Sequence, residues 1–551
     1  MPTIEASKKD LEKLIGKKFS MNELKQALLY VKGELDAVEG DALKIDIKDT
    51  NRPDLWSAEG IAREIKTRIG LRKGILKYKV NKSKYEITID KNLEKIRPFI
   101  ACAVIKDVKL DNEIILQLIQ VQEKMSQTFG KKRAQEGAGL YDFDKIKMPM
   151  KYKGFKDNEI EFIPLDWKIP LKPSEILKEH EKGKAYAHLL EGKGLYPIVI
   201  DSANVVASMP PIINSEETGK ITEKTKNIFL EVTGFNWKKA NTQLNVLCMA
   251  LADRGGKIYS VKVKMPEGKI YPKTCTTPEF KAKKMNFNLE LIERNTGLKL
   301  KNSEIISFLQ KAGMNASING KKIEIEYCEF RQDIFHPVDL IEDILISYGY
   351  NNIPLQKIEI NVEGKHLNET LYLDKARDAC VGMGLQEILT FNLTSIEKQN
   401  ELIGLKEEDL VQIANPVSKN WEILRKRITP ELLEFLNKNK RFEYPQKIFE
   451  IGTALRIDES QENKVRETKN LCIILSGKGF SFNEIKSALQ AVCANLGIEF
   501  KLNKSIYPFL HKEKQAEIST SKGKGFLGEI NEKTVKAFGL EQDTVVMEMD
   551  L

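Results

Sequence analysis

The chain has 551 residues, which at about 100–200 residues per domain predicts roughly three to five domains and excludes a single small module. With 41% hydrophobic and 30% charged residues it carries enough apolar side chain to build cores and enough charge to solvate a surface, which excludes wholesale disorder. Lysine and arginine (88) exceed aspartate and glutamate (79), a formal net charge of +9 that permits an anionic partner such as RNA without requiring one.

The seven cysteines, Cys102, Cys248, Cys275, Cys328, Cys380, Cys472 and Cys493, stand far apart with no C-x-x-C pair. Disulfide frameworks and zinc sites use clustered thiols, so a reducing compartment is expected. Residues 1–10 include acids and no apolar stretch of signal-peptide length, and nowhere do about 18 uncharged apolar residues run together. A cytoplasmic protein with no membrane segment is the expectation.

In chain order, Ser20 with Glu23 three residues on forms a capping-box signal, and Leu24, Leu28 and Val31 line one face of the helix it would start. Leu43 to Lys48 alternates as a half-buried strand, and Asp49 to Asp54 makes a loop before a helical pattern that runs through Ile65, with Asp54 or Ser57 as its cap. A second segment begins near Arg97. It holds an apolar run from Phe99 to Ile105, an amphipathic stretch from Asn112 to about Phe129, and strands at Tyr196 to Asp201, Asn204 to Met209 and Asn227 to Thr233. Asp253 to Lys257 reads as a hairpin that closes this mixed α+β domain. A small third segment has helical patterns at Asn288 to Thr296 and Ser303 to Lys311, then strands either side of Asn319-Gly320, whose positive φ angles suit a two-residue turn. Two helices, a hairpin and another helix resemble a winged-helix arrangement. From about Ile358 the chain reads helix at Leu371 to Gly382, strand at Ile388 to Leu393, helix at Pro430 to Lys438, then several strands.

Asp333, Asp339, Glu342 and Asp343 flank Pro337, a residue suited to a first helical turn, and the 339, 342, 343 spacing puts three carboxylates on one face. Oxygen ligands of this kind suit Mg²⁺. The alternative is that acids gather at a helix N-terminus because the macrodipole stabilises them there, and the pattern alone favours it. Gly523 to Gly528 spells G-x-G-x-x-G but lies between two strands, so a hairpin is expected rather than a phosphate cradle. His180 and His188 lack nearby cysteines and read as packed or exposed side chains. In the strand Asn227 to Thr233, Glu231 and Thr233 share a face with Phe229; the choice is between a pocket and an exposed face, and the strand alone favours the second.

Three separated stretches carry a resemblance. Lys48-Asp49-Thr50-Asn51-Arg52-Pro53-Asp54-Leu55-Trp56-Ser57 with Glu59 to Glu64, then Asp333 through Asp343 with Tyr348-Gly349-Tyr350-Asn351, and Ile448-Phe449-Glu450-Ile451-Gly452, resemble the β subunit of phenylalanyl-tRNA synthetase of the archaeal/eukaryotic type, in order over nearly the whole chain. The resemblance implies an α+β multidomain chain: an N-terminal mixed α/β segment (1–95), an α+β editing domain (96–275), a winged-helix-like domain with the acidic cluster (276–356) and a degenerate class II synthetase-like antiparallel sheet domain (357–551). It further implies an assembly of two α and two β chains that charges tRNA(Phe) with phenylalanine using ATP at a site on α. No arginine follows Arg466, Phe449 comes only six residues after Glu443, and Phe391 stands where active cores have proline, so the last domain is expected to lack the clamp for a triphosphate. Neither the added RNA-binding barrel nor the anticodon-type domain of the bacterial form is expected.

For the central segment the resemblance implies hydrolysis of tyrosine mistakenly esterified to the tRNA. An apolar pocket rejects an added hydroxyl only modestly, whereas a second pocket with a buried acceptor discriminates strongly. The family pattern places Glu231 as the residue that reads the hydroxyl, with Thr233 beside it, Ser208 in a preceding strand and Asn214 in Pro210 to Ser215. With no Ser-His-Asp set in view, water attack positioned by the site and the substrate's ribose hydroxyl is expected. The resemblance also implies Mg²⁺ on Asp333, Asp339, Glu342 and Asp343 at the contact with α. The competing class is a non-catalytic RNA-binding or architectural scaffold subunit, marked by steeply salt-dependent RNA affinity without hydrolysis.

Overall fold

Ser20 caps the helix Met21–Leu29: its hydroxyl accepts the Glu23 N–H while the Glu23 carboxylate accepts the Ser20 N–H, satisfying donors that the helix leaves open. The structure, a computed structural model, describes residues 3–271, 274–357, 362–407 and 409–551 and separates into two units, 1–356 and 357–551.

The first unit opens with β1 (Thr3–Ser7), α1 (Lys8–Ile15), α2 (Met21–Leu29), β2 (Gly33–Glu39), β3 (Ala42–Ile47) and α3 (Ala58–Arg68). β3 lies in the middle of an antiparallel sheet, with Leu43, Ile45 and Ile47 buried at alternate positions. Of the two residues that suit the cap of α3, Ser57 takes the role, accepting the Gly60 N–H at 3.1 Å.

Next come β4 (Val80–Ile89), β5 (Phe99–Lys106), α4 (Asn112–Gln127), β6 (Glu136–Asp142), β7 (Met150–Phe155), α5 (Pro173–Glu179) and α6 (Glu181–Tyr186). They are followed by β8 (Tyr196–Ile200), β9 (Val206–Met209), β10 (Ile213–Asn214), α7 (Glu216–Gly219), β11 (Ile228–Gly234), α8 (Trp237–Asp253), β12 (Lys257–Lys264) and β13 (Cys275–Thr277). Among the described residues these ten strands form one mixed sheet, ordered β10-β9-β8-β7-β4-β12-β5-β11-β6 with β13 on β12. β5 and β11 are buried on both faces, as their apolar runs require. Ala101, Ala103, Leu230 and Val232 pack with Leu118, Leu244 and Leu247 of α4 and α8, while Ile100, Cys102, Val104 and Phe229 join a second core with Tyr141. The exposed-face reading of β11 is thereby corrected.

Two further readings change. Asp253 to Lys257 is no hairpin: α8 ends at Asp253 and the chain turns into β12, which rejoins the same sheet beside β5. Residues 242–251 of α8 are buried without interruption, so the helix shows no one-sided apolar stripe. β4 pairs with β7 and β12 and so belongs to the large sheet, although it precedes residue 95.

The unit ends with β14 (Ala282–Asn288), α9 (Glu290–Thr296), α10 (Asn302–Lys311), β15 (Asn315–Asn319), β16 (Lys322–Cys328) and α11 (Pro337–Tyr348), the strands ordered β14-β16-β15. The hairpin turn is Gly320-Lys321, one residue later than expected, with Asn319 paired to Lys322 and φ +59° at Gly320. A glycine at the first central position is enough for such a turn.

In the second unit, α12 (Asn368–Gly382), β17 (Gln386–Glu387), β18 (Leu393–Thr394), β19 (Ile423–Leu424), α13 (Thr429–Lys438) and β20 (Gln446–Ile457) precede β21 (Val465–Ser476), α14 (Phe482–Leu496), β22 (Phe500–Asn503), β23 (Leu510–Thr520), β24 (Lys524–Ile530), α15 (Glu532–Ala537) and β25 (Thr544–Asp550). The sheet order is β17-β20-β21-β25-β24-β23-β22, antiparallel except at β17–β20. Gly523 lies at the β23–β24 hairpin, as its flanking strands require. The strand expected over Ile388–Leu393 is absent between Glu387 and Leu393; Leu389 and Phe391 are 81% and 73% exposed. Their alternation marks an outward apolar surface, not a buried ladder.

Candidate active site

Strand alternation aims Glu231 and Thr233 away from the Leu230–Val232 core, into a cavity of about 360 Å³. Ser208 of β9 and Asn214 of β10 line the same cavity, so all four residues expected of the central site converge. The sheet curls until its two ends meet there: the Tyr141 hydroxyl of β6 lies 2.8 Å from Ser208 Oγ, and Asn214 Nδ2 donates to the Leu140 carbonyl at 3.1 Å. The walls are mixed: Ala138, Leu140, Pro211 and Ile212 are apolar, and Glu123, Arg133, Asp166, Lys182 and Lys220 bring charges of both signs.

Glu231 is 3% exposed. Its Oε1 accepts from the Tyr141 hydroxyl at 2.8 Å, while Oε2 is buried with no hydrogen-bond partner. Burial pushes its carboxyl up to about 7, against the opposing pull of the Tyr141 hydrogen bond and the Arg97 charge. Thr233 is held from below: Arg97 Nε donates to its Oγ1 at 2.8 Å and Nη2 to its carbonyl at 2.7 Å. Arg97 takes one of the two lone pairs of Thr233 Oγ1 and leaves the hydroxyl proton to donate. Arg133 donates to the carbonyls of Pro211 and Ile212 at 3.2 and 3.0 Å, pinning the loop that presents Asn214. A Cβ at Gly219 would stand 2.4 Å from the Asn214 Cβ, so glycine is what lets α7 pass this side chain.

Tyr141, Arg97 and Arg133 escaped the sequence reading because each reaches the site from a distant segment. One signal was present: Gly137 and Gly139 alternate within a strand, a pattern that marks close approach. A Cβ at Gly139 would lie 2.2 Å from the Tyr141 oxygen and 2.7 Å from Glu231 Oε1.

The acidic cluster is arranged otherwise. Arg331 binds Asp333 through two nitrogens at 2.9 and 2.6 Å and reaches Asp343 at 2.6 Å; Arg68 also bonds Asp343, and Glu64 at 2.8 Å. Arg52 holds Asp54 at 2.9 and 2.8 Å and Glu64 at 3.1 Å. Two of the stretches that carried the family resemblance thus interlock through one buried ion network. Burial would raise Asp333, but Arg331 and Arg52 hold it well below the usual carboxylate range. Asp339 Oδ2 accepts the N–H groups of Phe335 and His336, each at 2.7 Å, and half-exposed Glu342 pairs with Lys32. As placed, Asp333, Asp339, Glu342 and Asp343 do not fit a magnesium centre: both oxygens of Asp333 and Asp343 face arginines, Asp339 Oδ2 faces backbone and Glu342 Oε1 a lysine, and among the described residues no group of three or more acids, histidines or cysteines is arranged around a metal position. The capping alternative describes Asp339.

In the second unit a cleft of about 330 Å³ is lined by Lys426, Arg427, Arg456 and Lys524. Each has a carboxylate partner: Asp409 at 2.8 Å, Glu407 at 2.7 Å, Asp550 at 3.3 Å and Glu517 at 3.4 Å. Arg425 is buried against Glu450 at 2.7 Å. No described cation in this cleft is left over for a phosphate chain.

Three family models match the chain: the B3/4 domain over residues 109–250, which includes Tyr141, Ser208, Asn214, Glu231 and Thr233; the tRNA synthetase B5 domain over 285–350; and the phenylalanyl tRNA synthetase beta chain CLM domain over 353–551. The chain is 42% identical to the phenylalanine–tRNA ligase beta subunit of Pyrococcus furiosus over 100% of this chain and 99% of that one. With the beta subunit of Methanosphaera stadtmanae it shares 33% identity over the same proportions. A solved N-terminal fragment of the phenylalanyl-tRNA synthetase beta subunit from Pyrococcus horikoshii is 45% identical, with a TM-score of 0.61, and the match covers 63% of this chain and 100% of the fragment. On identity at this level over its full length, the chain belongs to the family of phenylalanine–tRNA ligase beta subunits.

Proposed function

We propose that the chain works in the cytoplasm as the β subunit of a phenylalanine–tRNA ligase, in an assembly of two α and two β chains, and that its cavity hydrolyses tyrosine mistakenly esterified to tRNA(Phe). Charging with phenylalanine, with ATP and its Mg²⁺, then takes place on α. The observation that carries the editing reading is the unpartnered Oε2 of Glu231, buried at the cavity that Ser208, Asn214 and Thr233 also line. A tyrosine hydroxyl satisfies that oxygen, whereas a phenylalanine ring leaves it bare at a cost of about 1–3 kcal/mol.

Neither histidine nor cysteine lines the cavity among the described residues, which supports water as the nucleophile. Water adds to the ester carbonyl carbon, the bond to the ribose oxygen breaks, and that oxygen leaves with a proton. In this reading Thr233 and Asn214 orient the ester or the water, and the ribose hydroxyl assists. Paired cations in the second unit's cleft support charging on α, and the exposed Leu389, Phe391 and Val417 support docking against it. No step of this reading passes through Asp333 or Asp343, whose oxygens are taken by arginines.

Glu231→Ala, co-expressed with the α subunit, is expected to abolish deacylation of tyrosyl-tRNA and leave phenylalanine charging nearly intact. Deacylation at the parental rate refutes the assignment, and a parental assembly that hydrolyses no tyrosyl-tRNA returns the chain to the scaffold class.

A further inference from the structure

We propose that Tyr141 is a positioning residue for specificity: by donating its phenolic proton to Oε1 of Glu231, it fixes the carboxylate so that Oε2 alone is left to accept one hydroxyl from an aromatic side chain. This rests on the reading of Glu231 as the hydroxyl acceptor.

The Tyr141 oxygen stands 2.8 Å from both Glu231 Oε1 and Ser208 Oγ. A phenol has one proton to give and an ionised carboxylate has none, so the proton goes to Glu231 and the serine hydroxyl can supply the second bond to the phenol oxygen. The result is a relay from β9 through β6 to β11. Tyr141 is fully buried, its ring 5.8 Å from that of Phe229, so the donor cannot swing aside. Gly139, paired directly with Glu231 across β6 and β11, leaves the space in which the two oxygens meet; any Cβ there would collide with both.

The other groups near the carboxylate do not replace this donor. Arg97 spends its nitrogens on Thr233 and on the Arg133 carbonyl. Cys102 faces Glu231 across β5 as a thiol that burial holds protonated. Tyr152 of β7 donates to the Arg97 carbonyl, and Thr233, whose Oγ1 accepts from Arg97, makes no hydrogen bond to the free Oε2 of the carboxylate. Tyr141 is therefore the hydrogen-bond donor Glu231 receives among the described residues. Its loss leaves two bare oxygens and a carboxylate free to rotate, to take up a proton, or to hold a water. A protonated or hydrated Glu231 no longer penalises phenylalanine, which is how the tyrosine hydroxyl loses its advantage.

The test measures hydrolysis of tyrosyl-tRNA and phenylalanyl-tRNA by the full αβ assembly carrying Tyr141→Phe, with Glu231→Ala alongside. Tyr141→Phe is expected to lower the tyrosine-over-phenylalanine ratio of kcat/KM roughly tenfold, chiefly through KM for the tyrosyl substrate. It should also move the midpoint of the pH–rate profile upward, because a hydrogen bond that favours the ionised carboxylate has gone. Incorporating difluorotyrosine at position 141 keeps the packing and makes the phenol a stronger donor; the midpoint should then move downward. That arm stands even where Tyr141→Phe fails to fold. An equal fall in both substrates, or a ratio and midpoint unmoved in both variants while Glu231→Ala loses discrimination, overturns the inference and leaves the editing reading standing. If Glu231→Ala also keeps the parental ratio, it is the editing reading that fails.

Discussion

Glu231 and Asp343 are each 3% exposed, yet their surroundings are opposites. Asp343 lies between Arg68 and Arg331, in a network whose members Asp333 and Glu64 are held ionised. Glu231 receives one phenolic hydroxyl, keeps a bare oxygen, and is pushed up toward neutrality by burial. Burial alone does not say what an acid does. Charge answered inside the fold ties segments of the chain together, whereas an unanswered oxygen beside a cavity is a recognition element awaiting its partner.

The sharpest way to break this contrast is Asp343→Ala, which takes from Arg68 and Arg331 one of the two carboxylates that each holds in the interior. A loss of about 3–5 kcal/mol in urea unfolding is expected; a loss under about 1 kcal/mol makes the network dispensable, against the rule for broken buried pairs. Glu136 sharpens the opposite side. It is buried with both oxygens unpartnered, and burial raises it to about 7 from an ordinary 4.5. The folded chain keeps that proton longer than the unfolded chain, so stability falls as pH rises between the two values. Glu136→Gln should therefore stabilise by about 1–3 kcal/mol at pH 8 and by almost nothing near pH 4.5; a pH-independent difference assigns the effect to packing. The smallest effect is expected at Asp339, where alanine removes an acceptor for two N–H groups at a cost of about 1 kcal/mol. Added Mg²⁺ should leave the parental melting temperature unchanged, and a saturable rise that Asp339→Ala abolishes would restore a metal to this helix end.

Much of the local architecture was legible because it depends on near neighbours. Ser20 with Glu23, the alternation of residues 43–47 and the hairpin at Gly523 are signals read within a few positions. Glu231 and Thr233 could be placed on one strand face for the same reason. What surrounds them could not be read from that strand: Ser208 came only with the family resemblance, Tyr141 lies on a strand whose pairing is non-local, and Arg97 precedes β5. Helix α8 carries no one-sided stripe to read, because it is buried on every side and Thr242, Gln243 and Asn245 interrupt its apolar positions. The segment after Glu387 misled in the other direction: Leu389 and Phe391 alternate like strand residues but face outward. The acidic cluster was visible as a pattern, while two of the three arginines that answer it, Arg52 and Arg68, lie some 280 residues earlier in the chain and only Arg331 stands beside it.

The most direct measurement is a structure of the full chain with L-tyrosine bound, refined beside one soaked with L-phenylalanine. The phenol oxygen is expected within about 3 Å of Glu231 Oε2, with Oε1 still on Tyr141 and the cavity empty or weakly filled with phenylalanine. Tyrosine seated with its hydroxyl away from Glu231, or phenylalanine bound equally well in the same pose, would show that this carboxylate does not read the side chain.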